Sequence, residues 1–115
     1  MFFVFRVATI MYLSLMTLPA AATPSATRLI YACEHALEYG FNDINGMLCT
    51  WYVTPCDCNQ ANKPEIPRVC LPPDIPVEFL AREVIDGIKT QEVPVTVDAD
   101  YAAAKVLAKH YPCPE

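Results

Sequence analysis

Catalytic raw material is scarce in this chain. It has two histidines, His35 and His110, and only one serine, Ser25, lies beyond residue 22. A serine–histidine–acid set has almost nothing to start from, so nucleophilic hydrolysis is disfavoured. No C-x-x-C pair is present, which removes the usual low-pKa thiolate of redox enzymes. No N-x-S/T triplet occurs, so N-glycosylation is not expected. Positive charge is also short, with 8 basic residues against 13 acidic ones. That balance argues against nucleic acid or an anionic membrane as partner, since both call for a basic face.

What the chain does have is cysteine, proline and an apolar N-terminal run. Residues 1–22 read as a signal peptide. Arg6 supplies the positive start, residues 7–18 are mostly apolar, Pro19 breaks the run, and Ala20, Ala21 and Ala22 offer the small side chains that signal peptidase reads. The run is about a dozen residues, short of the roughly 20 needed to cross a bilayer, so no membrane span is expected after cleavage. Residues 23–27 read as a flexible leader, and residues 28–115 as a single disulfide-rich domain. Beyond residue 22 there are seven basic and 13 acidic residues, a net charge of −6. All six cysteines, Cys33, Cys49, Cys56, Cys58, Cys70 and Cys113, lie in that part. An even count behind a signal peptide implies disulfides in an oxidising, extracellular setting. Spacing leaves the pairing open. The favoured arrangement joins Cys33 to Cys113, end to end, and lets the four central cysteines pair among themselves.

Local patterns predict an α+β fold. Residues 28–39 place Leu29, Ala32, Cys33, Ala36 and Leu37 at helical spacing, with Gly40 suited to end the helix; Ile30 and Tyr31 would also suit a strand over 29–33, and the helix is preferred. Residues 41–46 read as a turn, with Asn45-Gly46 as its strongest signal. Residues 47–54, MLCTWYVT, are rich in β-formers and read as a strand with Trp51 in the core. Residues 68–71 read as a short returning strand. Pro76 suits a helix start, and Val77, Leu80, Ala81, Val84, Ile85 and Ile88 then repeat as an amphipathic helix. Residues 92–97, EVPVTV, read as an edge strand because Pro94 lacks a donor. Asp98 or Asp100 can cap a last helix, with Lys105, Lys109 and His110 toward its C-terminus. The expectation is about three helices packed on a short, largely antiparallel sheet, stapled by disulfides.

Four kinds of chemistry can be weighed on these residues. Zinc would need Cys56, Cys58, Cys70 and a histidine, but C-x-C is an unusual spacing and disulfides explain the cysteines better. No metal or other cofactor is expected. RNA cleavage would need His35 or His110 with Glu34, Glu38 and Arg82 brought together. The blander reading places both histidines on helix surfaces. A protease-inhibitor loop is possible at residues 59–69, with Arg68 entering a trypsin-like pocket; Lys63 is poorer because Pro64 follows it. Against that stands a plain proline-rich surface loop. Finally Trp51, Tyr31, Tyr39, Tyr52, Tyr101 and Tyr111 are many aromatics for so small a domain, and suit either a core or a binding surface.

Tyr31-Ala32-Cys33, soon after the cleavage site, resembles the aromatic-x-Cys start of ribonuclease-like mildew effectors. The signal peptide, the six cysteines, and the closing Cys113 with its mixed helices and strands look more like the killer-toxin-like fungal effectors. That resemblance implies an α/β sandwich and a secreted, non-enzymatic protein acting on a protein target of a host or competitor. The alternatives are a secreted protease inhibitor and a small ribonuclease-like enzyme.

Overall fold

The computed structural model describes residues 24–55, 64–90 and 93–114. The first helix, α1 (Ala26–Tyr39), begins where Ser25 stays extended and its Oγ accepts the Arg28 N–H at 3.3 Å. Leu29, Ala32, Cys33 and Ala36 follow at i, i+3, i+4 and i+7 and are buried. Gly40 ends the helix at φ 104°, a backbone region that side chains resist. Helix formation over 28–39 is as expected from the spacing. The expected leader is shorter, because Ser25 caps α1 and Ala26 is already buried.

The stretch read as the central strand is a helix, α2 (Ile44–Val53). Two local features select it. Asp43 Oδ1 accepts the Gly46 N–H at 2.9 Å, which caps the first turn. Gly46 lies against the Phe41 backbone, where a Cβ would collide. Asn45-Gly46 is therefore the first turn of a helix, not a hairpin turn. Aromatic and β-branched residues tolerate a helix when their neighbours suit it, because strand propensity depends strongly on context. On α2 the buried positions are Gly46, Cys49 and Val53, again at helical spacing.

Helix α3 (Val77–Lys89) starts after Pro76 and buries Leu80, Ala81, Val84, Ile85 and Ile88, as the sequence pattern predicts. Helix α4 (Ala99–His110) starts after Asp98 and buries Ala102, Ala103, Ala104, Val106 and Leu107. The four described helices all pack against one another around one core. Eight of the core residues are alanines, Ala26, Ala32, Ala36, Ala81, Ala99, Ala102, Ala103 and Ala104, and their small side chains permit close helix approach.

The α+β expectation is overturned. The described residues form a small all-helical domain with no strand or sheet, only two isolated bridges, Ser25 to Asp98 and Val69 to Pro112. The edge strand expected at 92–97 is instead a bent connection over its described residues, 93–97. Its backbone has another task. The Ala26 and Thr27 N–H groups donate to the Val97 and Val95 carbonyls at 2.8 and 3.3 Å, and the Ala99 N–H donates to the Pro24 carbonyl at 2.8 Å. The starts of α1 and α4 thus satisfy each other's orphan donors, and extended chain is used up as a cap rather than in a sheet. Residues 68–71 likewise contribute one bridge, at Val69, and not a strand.

The pairing expectation also fails. Cys33 bonds to Cys49, joining α1 to α2, and Cys70 bonds to Cys113, joining the segment before α3 to the tail after α4. Cys33 faces α2 from the middle of α1, so the chain end is not its neighbour. Cys56 and Cys58 lie outside the described residues, as does the signal peptide at 1–22. No described helix is long and apolar enough to cross a membrane.

Three measurements check this account. Gly46→Ala should lower stability by about 2 kcal/mol or more in urea unfolding, reversing the roughly 1 kcal/mol that alanine normally adds within a helix. Replacing Cys33 and Cys49 together by alanine should cost about 3 kcal/mol, because the closed loop spans 16 residues. The third concerns Tyr111. Burial, its hydrogen bond to Glu83 Oε1 at 3.1 Å and the Glu83 charge hold its phenol above the ordinary 10.0. A folded pKa above the unfolded one means that this stability is intact below about pH 10 and falls as pH rises further. Tyr111→Phe should flatten that alkaline fall relative to wild type in unfolding measured from pH 8 to 11.

Candidate functional site

The outer face of α1 carries a ring ladder. Tyr31, His35 and Tyr39 recur every fourth residue, so a helix sets them one above another. Their ring centroids are 6.1 Å apart between Tyr31 and His35 and 4.7 Å apart between His35 and Tyr39. Arg28 lies 5.3 Å over the Tyr31 ring and donates through Nη2 to Asn45 Oδ1 at 3.0 Å. His35 Nδ1 is buried with no hydrogen bond, and Asp43 Oδ2 stands 3.4 Å away. That separation holds an ion pair when the imidazole is protonated, but the two groups are not hydrogen-bonded. Asp43 meanwhile caps α2 with its other oxygen.

The outer face of α2 is apolar. Ile44, Met47 and Trp51 lie on one side and are all exposed, Trp51 at 69%. The expectation that Trp51 is core fails for a geometric reason. In a strand, Cys49, Trp51 and Val53 share a face; in a helix, a step of two residues turns about 200°. Cys49 and Val53 point inward and Trp51 outward. The Arg28–Asn45 bond and the His35–Asp43 approach join the α1 ladder to the first turn of α2. Directly beneath, the Cys33–Cys49 bond fixes the two helices together. Sequence reasoning missed Ile44, which it assigned to a turn, and misplaced Met47 and Trp51. Reading 46, 49 and 53 against 44, 47 and 51 as the two faces of one helix would have found them.

The other candidate residues do not converge. His110 lies at the end of α4, its ring tilted 51° to that of Tyr111 with centroids 6.3 Å apart, and it is not among the described contacts of His35. Glu34 pairs with Lys89 of α3 at 3.2 Å, an exposed contact of small energetic weight. Glu38 and Arg82 are exposed, and no described contact brings either to a histidine. Arg68 is exposed, but Val69 after it is only 3% exposed and bridged to Pro112, and the Cys70 N–H donates to the Tyr111 carbonyl at 3.0 Å. A protease must reach both sides of the bond it inspects, and here the far side is built into the fold. Lys63 lies outside the described residues. Cys70 is committed to Cys113 and offers no thiolate to zinc. An open hollow of about 430 Å³ is lined by Glu65, Ile66, Val97, Asp98, Asp100 and Tyr101.

Compared with protein-family models, with curated proteins and with solved structures, the chain has no significant match in any of the three. The functional reading rests on the geometry above.

Trp51→Ser tests the placement of this face. It should change stability by no more than about 0.5 kcal/mol in urea unfolding, as for other exposed sites, where a core tryptophan would cost roughly 3–5 kcal/mol.

Proposed function

We propose that this is a secreted protein that works by binding a protein target, in the manner of an effector or toxin-like domain, and not by catalysis of its own. The observation that carries the reading is the outward face of α1 and α2, where Tyr31, Tyr39, Ile44, Met47 and Trp51 are exposed on helices fixed by a core disulfide. Exposed apolar side chains gathered on two neighbouring helices mark interaction surfaces more often than scattered ones do. Tryptophan, tyrosine and arginine are the residues that dominate binding energy, and Arg28 stands beside Tyr31. A pinned surface also loses little conformational freedom on docking. Disulfides in the described residues fit an extracellular setting.

The test compares wild type with a Met47→Ser/Trp51→Ser double variant, both oxidised and matched in helix content. Each is immobilised and exposed to the surface and secreted proteins of challenged cells. The expected result is a discrete protein held by wild type and released at least about 30-fold more weakly held by the variant, in line with the loss of two central contacts. Equal retention by both, or a nuclease activity that His35→Ala and His110→Ala together abolish, would overturn the proposal.

A further inference from the structure

The two described disulfides sit in different surroundings. Cys33 and Cys49 are both 0% exposed, between α1 and α2. Cys70 and Cys113 are only half-buried, and the exposed prolines Pro112 and Pro114 flank Cys113. Thiol–disulfide exchange requires a thiolate to approach one sulfur along the S–S axis, so access governs which bond is attacked. For Cys33–Cys49 that approach needs the helices to separate. For Cys70–Cys113 it does not.

What Cys70–Cys113 holds is also distinct. It ties the chain ahead of α3 to the tail behind α4. Among the described residues, the links across the same junction include a bridge and two hydrogen bonds, and Val69 is itself a core residue. Val69 bridges Pro112, the Cys70 N–H donates to the Tyr111 carbonyl at 3.0 Å, and Tyr111 Oη donates to Glu83 at 3.1 Å. Glu83 Oε2 is buried there with no hydrogen bond. The tied segment carries Glu65 and Ile66, which form one side of the hollow whose other side is Val97, Asp98, Asp100 and Tyr101.

We propose that Cys70–Cys113 is a reducible latch: a small thiol of the glutathione class opens it in the folded protein while Cys33–Cys49 stays closed, releasing the tail after Tyr111 from the segment before α3, whose Val69 stays in the core. One thiolate attacks the sulfur of Cys70 or Cys113, the S–S bond breaks, and the other cysteine leaves as a thiolate that takes a proton from water. A second thiol attacks the mixed disulfide, releases the remaining cysteine thiol and leaves as the oxidised donor disulfide. Two thiols are oxidised and one cystine is reduced. The oxidised donor closes the latch by the reverse path. The four helices keep their shared core and the α1–α2 bond throughout.

The experiment treats the oxidised full chain with reduced glutathione, quenches with iodoacetamide at intervals and reads each cysteine by peptide mass. Cys70 and Cys113 should be alkylated at least ten-fold sooner than Cys33 and Cys49. Their rate should be insensitive to urea below the unfolding transition, while that of Cys33 and Cys49 climbs with it, as expected for a bond reached only by unfolding. A shared rate with a shared urea dependence, or earlier loss of Cys33–Cys49, would overturn the latch. A Cys70→Ala/Cys113→Ala variant gives an independent reading. It should keep its helical circular dichroism and show at least ten-fold faster amide exchange at positions 69–71, with the α2 amide of Cys49 unchanged. Loss of the helices, or unchanged exchange at 69–71, would also count against it.

Discussion

The contact between α1 and α2 is the constraint on which the rest depends. Cys33 lies one turn beyond Leu29 on the buried face of α1, and only a helix at 44–53 brings Cys49 to it while turning Met47 and Trp51 away. The cross-link is fully enclosed. It acts on a domain in which alanine is the commonest residue of the described core. Small side chains bury little apolar area each, roughly 25 cal/mol per Å², so such a core gains from a covalent restraint more than one rich in leucine would. Close helix approach and the disulfide belong to the same solution.

The second constraint is at the helix starts. Four N–H groups at the beginning of each helix lack partners within it. Here the segments before α1 and α4 run past each other, and each supplies carbonyls to the other's first turn. That exchange brings the start of the described chain to the start of its last helix. It leaves the segment from Val93 to Val97 with no free register for a sheet. A helical unit results that has two covalent ties among its described residues, and the aromatic face rides on the pair of helices joined by the buried one.

That division separates two roles. On the proposed reading the α1–α2 face must keep its shape to bind, and a buried cross-link joins the two helices beneath it. The junction of Cys70 and Cys113 is the opposite case. Its cysteines are half-buried, and the described links beside it include a bridge and two hydrogen bonds. Differences in burial of this size separate regions that open only with the whole domain from regions that open locally.

The sequence by itself determined the helices whose faces are unambiguous. The stripes in 28–39 and 77–88 and the alanine-rich last segment repeat at 3.6 residues over about three turns, enough to favour a helix even over 29–33, where a strand is the alternative, and Gly40 and Pro76 mark their ends by backbone chemistry alone. The small disulfide-bonded character was equally legible from six cysteines. Tertiary structure alone decided the rest. Residues 47–53 satisfy both a strand and a helix pattern, and the choice between them falls to a cap at Asp43, a close approach at Gly46 and a cysteine partner on another helix. That choice turned Trp51 from core to surface and set which residues form the candidate site. Disulfide pairing followed from the same packing, because two cysteines bond when their backbones come within a few ångströms, a distance that sequence separation does not encode. The stretch at 93–97 carried a strand composition, but it bends, and the Val95 and Val97 carbonyls accept from the first donors of α1.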